Sequence, residues 1–122
     1  MKLVIVESPY AGAGRWPLSM LRRWRNILYA RRCVRDSLSR GEAPIASHLL
    51  YTQPGILDDF KPAERQWGID AGLAWRAVAE ASVVYTDRGI SKGMEYGMTA
   101  AAAAGIPVEL RTLPDYHLRG LA

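Results

Sequence analysis

Apolar positions along the chain follow two rhythms: short continuous runs, and longer stretches with three- and four-residue spacing. Leu3-Val4-Ile5-Val6 is a β-rich run that stops at Glu7-Ser8-Pro9-Tyr10, and Ala11-Gly12-Ala13-Gly14 continues the loop, so a buried strand running into a turn is expected. From Leu18 to Arg40 the positions Leu21, Trp24, Ile27, Leu28, Ala30, Val34 and Leu38 recur at helical spacing and Gly41 supplies a stop, which predicts an amphipathic helix. Pro44-Ile45-Ala46 gives a short strand, followed by His48-Leu49-Leu50-Tyr51 and a loop rich in Gln, Pro, Gly and Asp up to Pro62. A second helix is expected over 63–81, with Glu64 in its first turn. Ser82-Val83-Val84-Tyr85 is the next strand. Ser91 reads as the N-cap of a third helix that runs through Met94, Met98 and the alanines 100–104 to Gly105. Ile106 to Leu110 is a last strand, and residues 111–122 read as a short, mainly polar tail.

Strand and helix alternating in this way call for a parallel sheet with helices on both faces, a small doubly wound, flavodoxin-like α/β domain. Ligands of such folds sit beyond the carboxyl ends of the strands. Here those ends are the segments Glu7–Gly14, Ser47–Asp59 and Thr86–Glu95.

The 122 residues leave room for one domain spanning 1–122. With 49% hydrophobic and 23% charged residues, neither a disordered nor a fibrous chain fits. No apolar stretch approaches the roughly 20 residues of a membrane span, and the first run is strand-length and soon meets Glu7 and Pro9. The expected compartment is the cytoplasm, without a leader and without membrane partners. A single cysteine, Cys33, excludes an intrachain disulfide, and with two histidines no metal site and no cofactor is expected. The net charge of +4 is unevenly placed: Arg15, Arg22, Arg23, Arg25, Arg31, Arg32, Arg35 and Arg40 crowd one segment. Either a solvated helix face or a contact with phosphate oxygens accounts for it. Nucleic acid is the least supported partner, because these arginines lack interleaved aromatic stacking platforms.

The segment Thr86 to Gly97 is the richest chemically. Asp87 ends a strand, Gly89 sits in the turn, and Ser91, Lys92 and Gly93 open a helix whose free N–H groups and dipole favour an anion. Ser91 as a simple cap and Glu95 as a dipole-friendly carboxylate read equally well. His48 at a strand end could contact a base or phosphate, or be a hydrogen-bonded structural residue. Asp58 and Asp59 could bind a sugar or a metal, or simply cap the next turn. Trp16, Trp24, Trp67 and Trp75 read as core or subunit contacts.

Gly93-Met94-Glu95-Tyr96-Gly97, the alanines up to Gly105 and Ile106-Pro107-Val108 together resemble the signature of the nucleoside 2-deoxyribosyltransferase family. Ser8-Pro9-Tyr10, Pro44 to Leu50 and Gly89 to Met94 are similar to motifs of short bacterial and phage domains of unassigned function related to that family. The resemblance covers about the first 110 residues. It implies cleavage or transfer at the N-glycosidic bond of a 2′-deoxynucleoside or its 5′-monophosphate, in a homo-oligomer. Carried over, Glu95 would attack the anomeric carbon, Asp87 would serve the leaving base or sugar, and Tyr10 would hold the nucleophile. A carboxylate suits an oxocarbenium-like transition state. Ser8, Gly12, His48, Asp59, Arg65, Gly89, Ser91, Lys92 and Gly93 complete the expected substrate-binding set. Ala63 to Asp70 offers no counterpart of the family's base-handling Asp, whereas Arg65, Ser91 and Lys92 offer charge and donors for a phosphate. Two alternatives to an enzyme remain: a non-catalytic binder of a nucleotide or nucleotide-derived signal, and a nucleic-acid module built on the basic helix.

Overall fold

The computed structural model describes residues 1–116 and forms a four-stranded, all-parallel sheet flanked by helices. The elements are β1 (Lys2–Glu7), α1 (Leu18–Ser39), β2 (Glu42–Ile45), α2 (Ser47–Leu50), α3 (Pro62–Ala74), β3 (Ala81–Tyr85), α4 (Lys92–Ala103) and β4 (Val108–Arg111). Strand order is β2-β1-β3-β4, so the chain leaves β1 toward one edge and later crosses to the other. The reversal falls between β1 and β3, where Glu7 pairs in register with Val84, and that is where doubly wound sheets open a crevice for ligands. The flavodoxin-like α/β expectation is met.

Alternation along the strands sets the two faces. Val4, Val6, Val83 and Tyr85 form one buried cluster with Tyr29 and Cys33 of α1. Ile5, Glu7, Ser82 and Val84 point the other way, toward the side on which α4 lies. Pro44 is accommodated inside β2 because β2 is an edge strand. The second expected helix is shorter than 63–81: α3 ends at Ala74 and a 3₁₀ turn, Trp75–Ala77, leads into β3.

The buried stripe of α1 is displaced from its apolar spacing. Asn26, Tyr29, Ala30, Cys33 and Ser37 are inside, while Leu21, Trp24 and Leu38 are exposed. Distant partners make the polar stripe tolerable. Asn26 Nδ2 donates to the carbonyls of Tyr10 and Ala11, Tyr29 donates to Asp87 at 2.7 Å, and Ser37 donates to Glu42 at 2.7 Å. All four tryptophans are exposed rather than core. The polar-tail reading also fails for residues 111–116: Arg111, Leu113 and Tyr116 are buried, and the Tyr116 ring meets Tyr29 edge-on at 5.4 Å.

Candidate functional site

A cavity of about 800 Å³ opens at the carboxyl end of β1, within the size range of small-molecule sites. Its walls come from the loop after β1, from α2, from one face of α3 and from the start of α4. Apolar surface is supplied by Leu57, Ile69, Leu73 and Met94, aromatic surface by Tyr10, Tyr51 and Tyr96, and positive charge by Arg65, Arg76 and Lys92.

Glu7 is the carboxyl at its inner end. As the last residue of β1 it faces α4, and a Cβ built on Gly97 would lie 1.8 Å from its Oε2. Its head group therefore occupies the notch that any side chain at 97 would fill. Burial pushes the Glu7 carboxyl up to about 7, against the opposing pull of the Arg76 guanidinium. Arg76 is fixed by a 2.9 Å hydrogen bond to the Gly97 carbonyl. A carboxyl poised between its two states near neutrality is suited to proton transfer or to meeting a developing positive charge.

Beside Glu7, Ser8 Oγ lies 2.7 Å from His48 Nε2. The Tyr10 ring meets His48 edge-on at 6.3 Å. Burial holds the His48 imidazole down to about 4 and hence neutral at ordinary pH. At the outer rim the Arg23 guanidinium lies 4.7 Å from the Tyr10 ring and 4.6 Å from that of Phe60. Asp59 sits between Arg23 at 3.5 Å and Arg65 at 3.6 Å. At the opposite wall Ser91 caps α4 by accepting from the Met94 N–H at 3.2 Å, which leaves the Lys92 and Gly93 N–H groups of the first turn for an anion. Among the described residues no three His, Cys, Asp or Glu side chains cluster as a metal site, and no helix is long and apolar enough to cross a membrane.

Of the residues singled out in the sequence, the fold brings Ser8, Tyr10, Gly12, His48, Asp59, Arg65, Ser91, Lys92 and Gly93 to this one cavity. Three do not reach it. Glu95 is exposed and is not part of the cavity wall. The buried stripe of α4 is Met94, Gly97 and Ala101, and at about 100° per residue Glu95 is turned off it. The expected nucleophile is thus directed to solvent. Asp87 is also absent from the wall: its carboxylate is committed to the Tyr29 hydroxyl at 2.7 Å and to the Leu113 N–H at 3.0 Å, tying β3 to α1 and the last described segment. Gly89 takes a positive φ of 85° in the turn after β3 and lies outside the cavity. It serves the turn, where a residue without Cβ is favoured.

Glu7, Arg76 and Tyr96 are the site residues that sequence reasoning passed over. A signal for Glu7 existed, since an acid ends an apolar strand at the sheet edge where ligands bind. Arg76 carried none, because its role depends on the end of α3 reaching across to α4.

Comparison with curated proteins gives no match. A family model does match residues 2–111, all four strands and the whole cavity wall included. The chain accordingly belongs to the family described as a domain of unknown function, DUF7768.

Proposed function

We propose that this cleft binds a 2′-deoxynucleoside 5′-monophosphate or its nucleoside and cleaves the N-glycosidic bond, with Glu7 in the role that the sequence motif suggested for Glu95. The observation that carries the reading is the Glu7 carboxyl, half-buried against Gly97 in the cavity wall with its proton affinity raised to about 7. Its ionised form would attack the anomeric carbon. The base leaves with the electron pair of the C–N bond and takes a proton from water. A water or a second base then displaces the carboxylate from the glycosyl ester, releasing its own proton. Lys92, Arg65 and the first turn of α4 suit a phosphate. Tyr96, Leu57 and Ile69 suit the flat face of a base. No cofactor enters this chemistry.

A second reading, a non-catalytic nucleotide binder, is favoured by one observation: Glu95 and Asp87, the two carboxylates the resemblance called on, both lie outside the cavity. Incubation with deoxynucleosides and their 5′-monophosphates, followed by chromatography of free base, separates the two. The enzymatic reading expects release by the wild type and by Glu95→Ala, and none by Glu7→Gln. Tight binding without release by any of the three supports the binder.

A further inference from the structure

Ser8 and His48 were expected to contact the substrate, but the hydrogen bond between them takes no part in the glycosidic step. We propose that Ser8 is a nucleophile and His48 its base, giving the cleft a second, acyl-transfer activity toward carboxylic esters that carry an anionic group. The two side chains reach each other from different elements: Ser8 directly follows β1, and His48 stands in the first turn of α2, forty positions away. Ser8 is 5% exposed and both residues form part of the cavity wall, so the pair is shielded from bulk water beside the space a ligand would fill. The oxygen–nitrogen separation of 2.7 Å is that of an activated hydroxyl against its base. With the ring proton on Nδ1, the Ser8 hydroxyl donates to Nε2. Tyr10, edge-on to the imidazole, restricts the ring's rotation. Burial keeps the imidazole uncharged at rest and disfavours its charged form, so the proton it takes from Ser8 is held only until it passes to the leaving alcohol. A hydrogen bond that merely fastened β1 to α2 would leave the hydroxyl unreactive.

The step balances without a cofactor. Ser8 Oγ bonds to the ester carbonyl carbon while its proton passes to His48 Nε2. The tetrahedral intermediate collapses, the carbon–alkoxide bond breaks, and the alcohol departs with that proton. Water then attacks the acyl-serine and gives a proton to Nε2. The acid leaves and Ser8 recovers the proton. The anionic group is called for by Arg65, Arg76 and Lys92, which share the cavity. Nothing in this chemistry depends on Glu7.

The test is covalent labelling of the full chain with diisopropyl fluorophosphate, read by intact mass and by tryptic mapping of the peptide 3–15. One adduct on Ser8 is expected in the wild type and in Glu95→Ala, and none in Ser8→Ala. His48→Gln should slow labelling at least about a hundredfold, the usual contribution of a positioned base. In Glu7→Gln, which removes the adjacent carboxyl that itself changes charge near pH 7, the rate should stay flat between about pH 8 and 5.5 and fall only toward pH 4, where the His48 imidazole takes up its proton. This profile holds the proposal to account even if His48→Gln fails to fold. A folded wild type without a Ser8 adduct, an undiminished rate in His48→Gln, or a rate that follows hydroxide tenfold per pH unit would each overturn it.

Discussion

Replacing Glu7 by Gln tests the buried carboxyl through stability alone, without any assumption about substrate. In the folded protein this group binds its proton up to about pH 7, whereas its ordinary value is 4.5. Between those values the native state holds a proton that the unfolded chain has released. Stability contributed by Glu7 therefore falls as pH rises, and the full penalty is present above pH 7. The displacement corresponds to about 3 kcal/mol, an upper bound because relaxation around the ionised group reduces it. His48 has the opposite sign. Its folded value is about 4 against an ordinary 6.5, so the unfolded chain is the one that binds the extra proton, and stability is lost as pH falls from 6.5 through 4. From about pH 4.5 to 6.5 the two slopes oppose each other, and the wild type conceals both. In urea melts, Glu7→Gln should match the wild type near pH 4 and exceed it by up to about 3 kcal/mol at pH 8. That gain moves the midpoint by about 1–3 M for an ordinary m-value. His48→Gln should show the reverse trend, gaining on the wild type only in acid. A Glu7→Gln variant whose difference from the wild type is the same at both pH values would refute the burial argument and return Glu7 to solvent.

Three further outcomes follow from the contacts. Gly97→Ala puts a Cβ within 1.8 Å of the Glu7 carboxyl and should drive that flexible head group from its notch. Base release should disappear, and the excess proton binding near pH 7 should vanish in a potentiometric titration while the fold persists by circular dichroism. Arg111→Ala strips the bidentate partner from Glu42, held by bonds of 2.6 and 2.7 Å, and leaves a buried carboxylate unpaired. Chemical denaturation should show a loss of about 3–5 kcal/mol. Asp87→Ala removes the acceptor of the Tyr29 hydroxyl proton and of the Leu113 N–H, so it should cost about 2–3 kcal/mol in the same assay, while any base release per folded molecule is retained.

Local chemistry was readable where the determining partners are local. The apolar run Leu3–Val6 is a strand in any parallel sheet, and Ser91 caps α4 through a bond only three residues away. Pro62 and Glu64 open α3 as their residue types require. The buried face of α1 was not readable. Asn26, Tyr29 and Ser37 look like surface residues until Tyr10, Asp87 and Glu42 satisfy them, and all three of those partners belong to strands or to the segments just beyond them. Glu95 illustrates the same limit at the site. Its motif fixes it in the first turn of α4, but which side of that turn meets the sheet is decided by Met94, Gly97 and Ala101 packing together. That stripe of spacing three and four was present in the sequence, and it favours 94 and 97 over 95. Glu7 gained its importance only when Gly97 left a hollow for it across the sheet–helix interface.

The most direct measurement is to quench the protein during turnover of a deoxynucleoside 5′-monophosphate and map the sugar adduct by peptide mass. Trypsin separates the two candidate acids, Glu7 in peptide 3–15 and Glu95 in peptide 93–111. A deoxyribosyl phosphate mass on Glu7 is the predicted result. The same mass on Glu95, or base release with neither peptide modified and Glu7→Gln fully active, would contradict it.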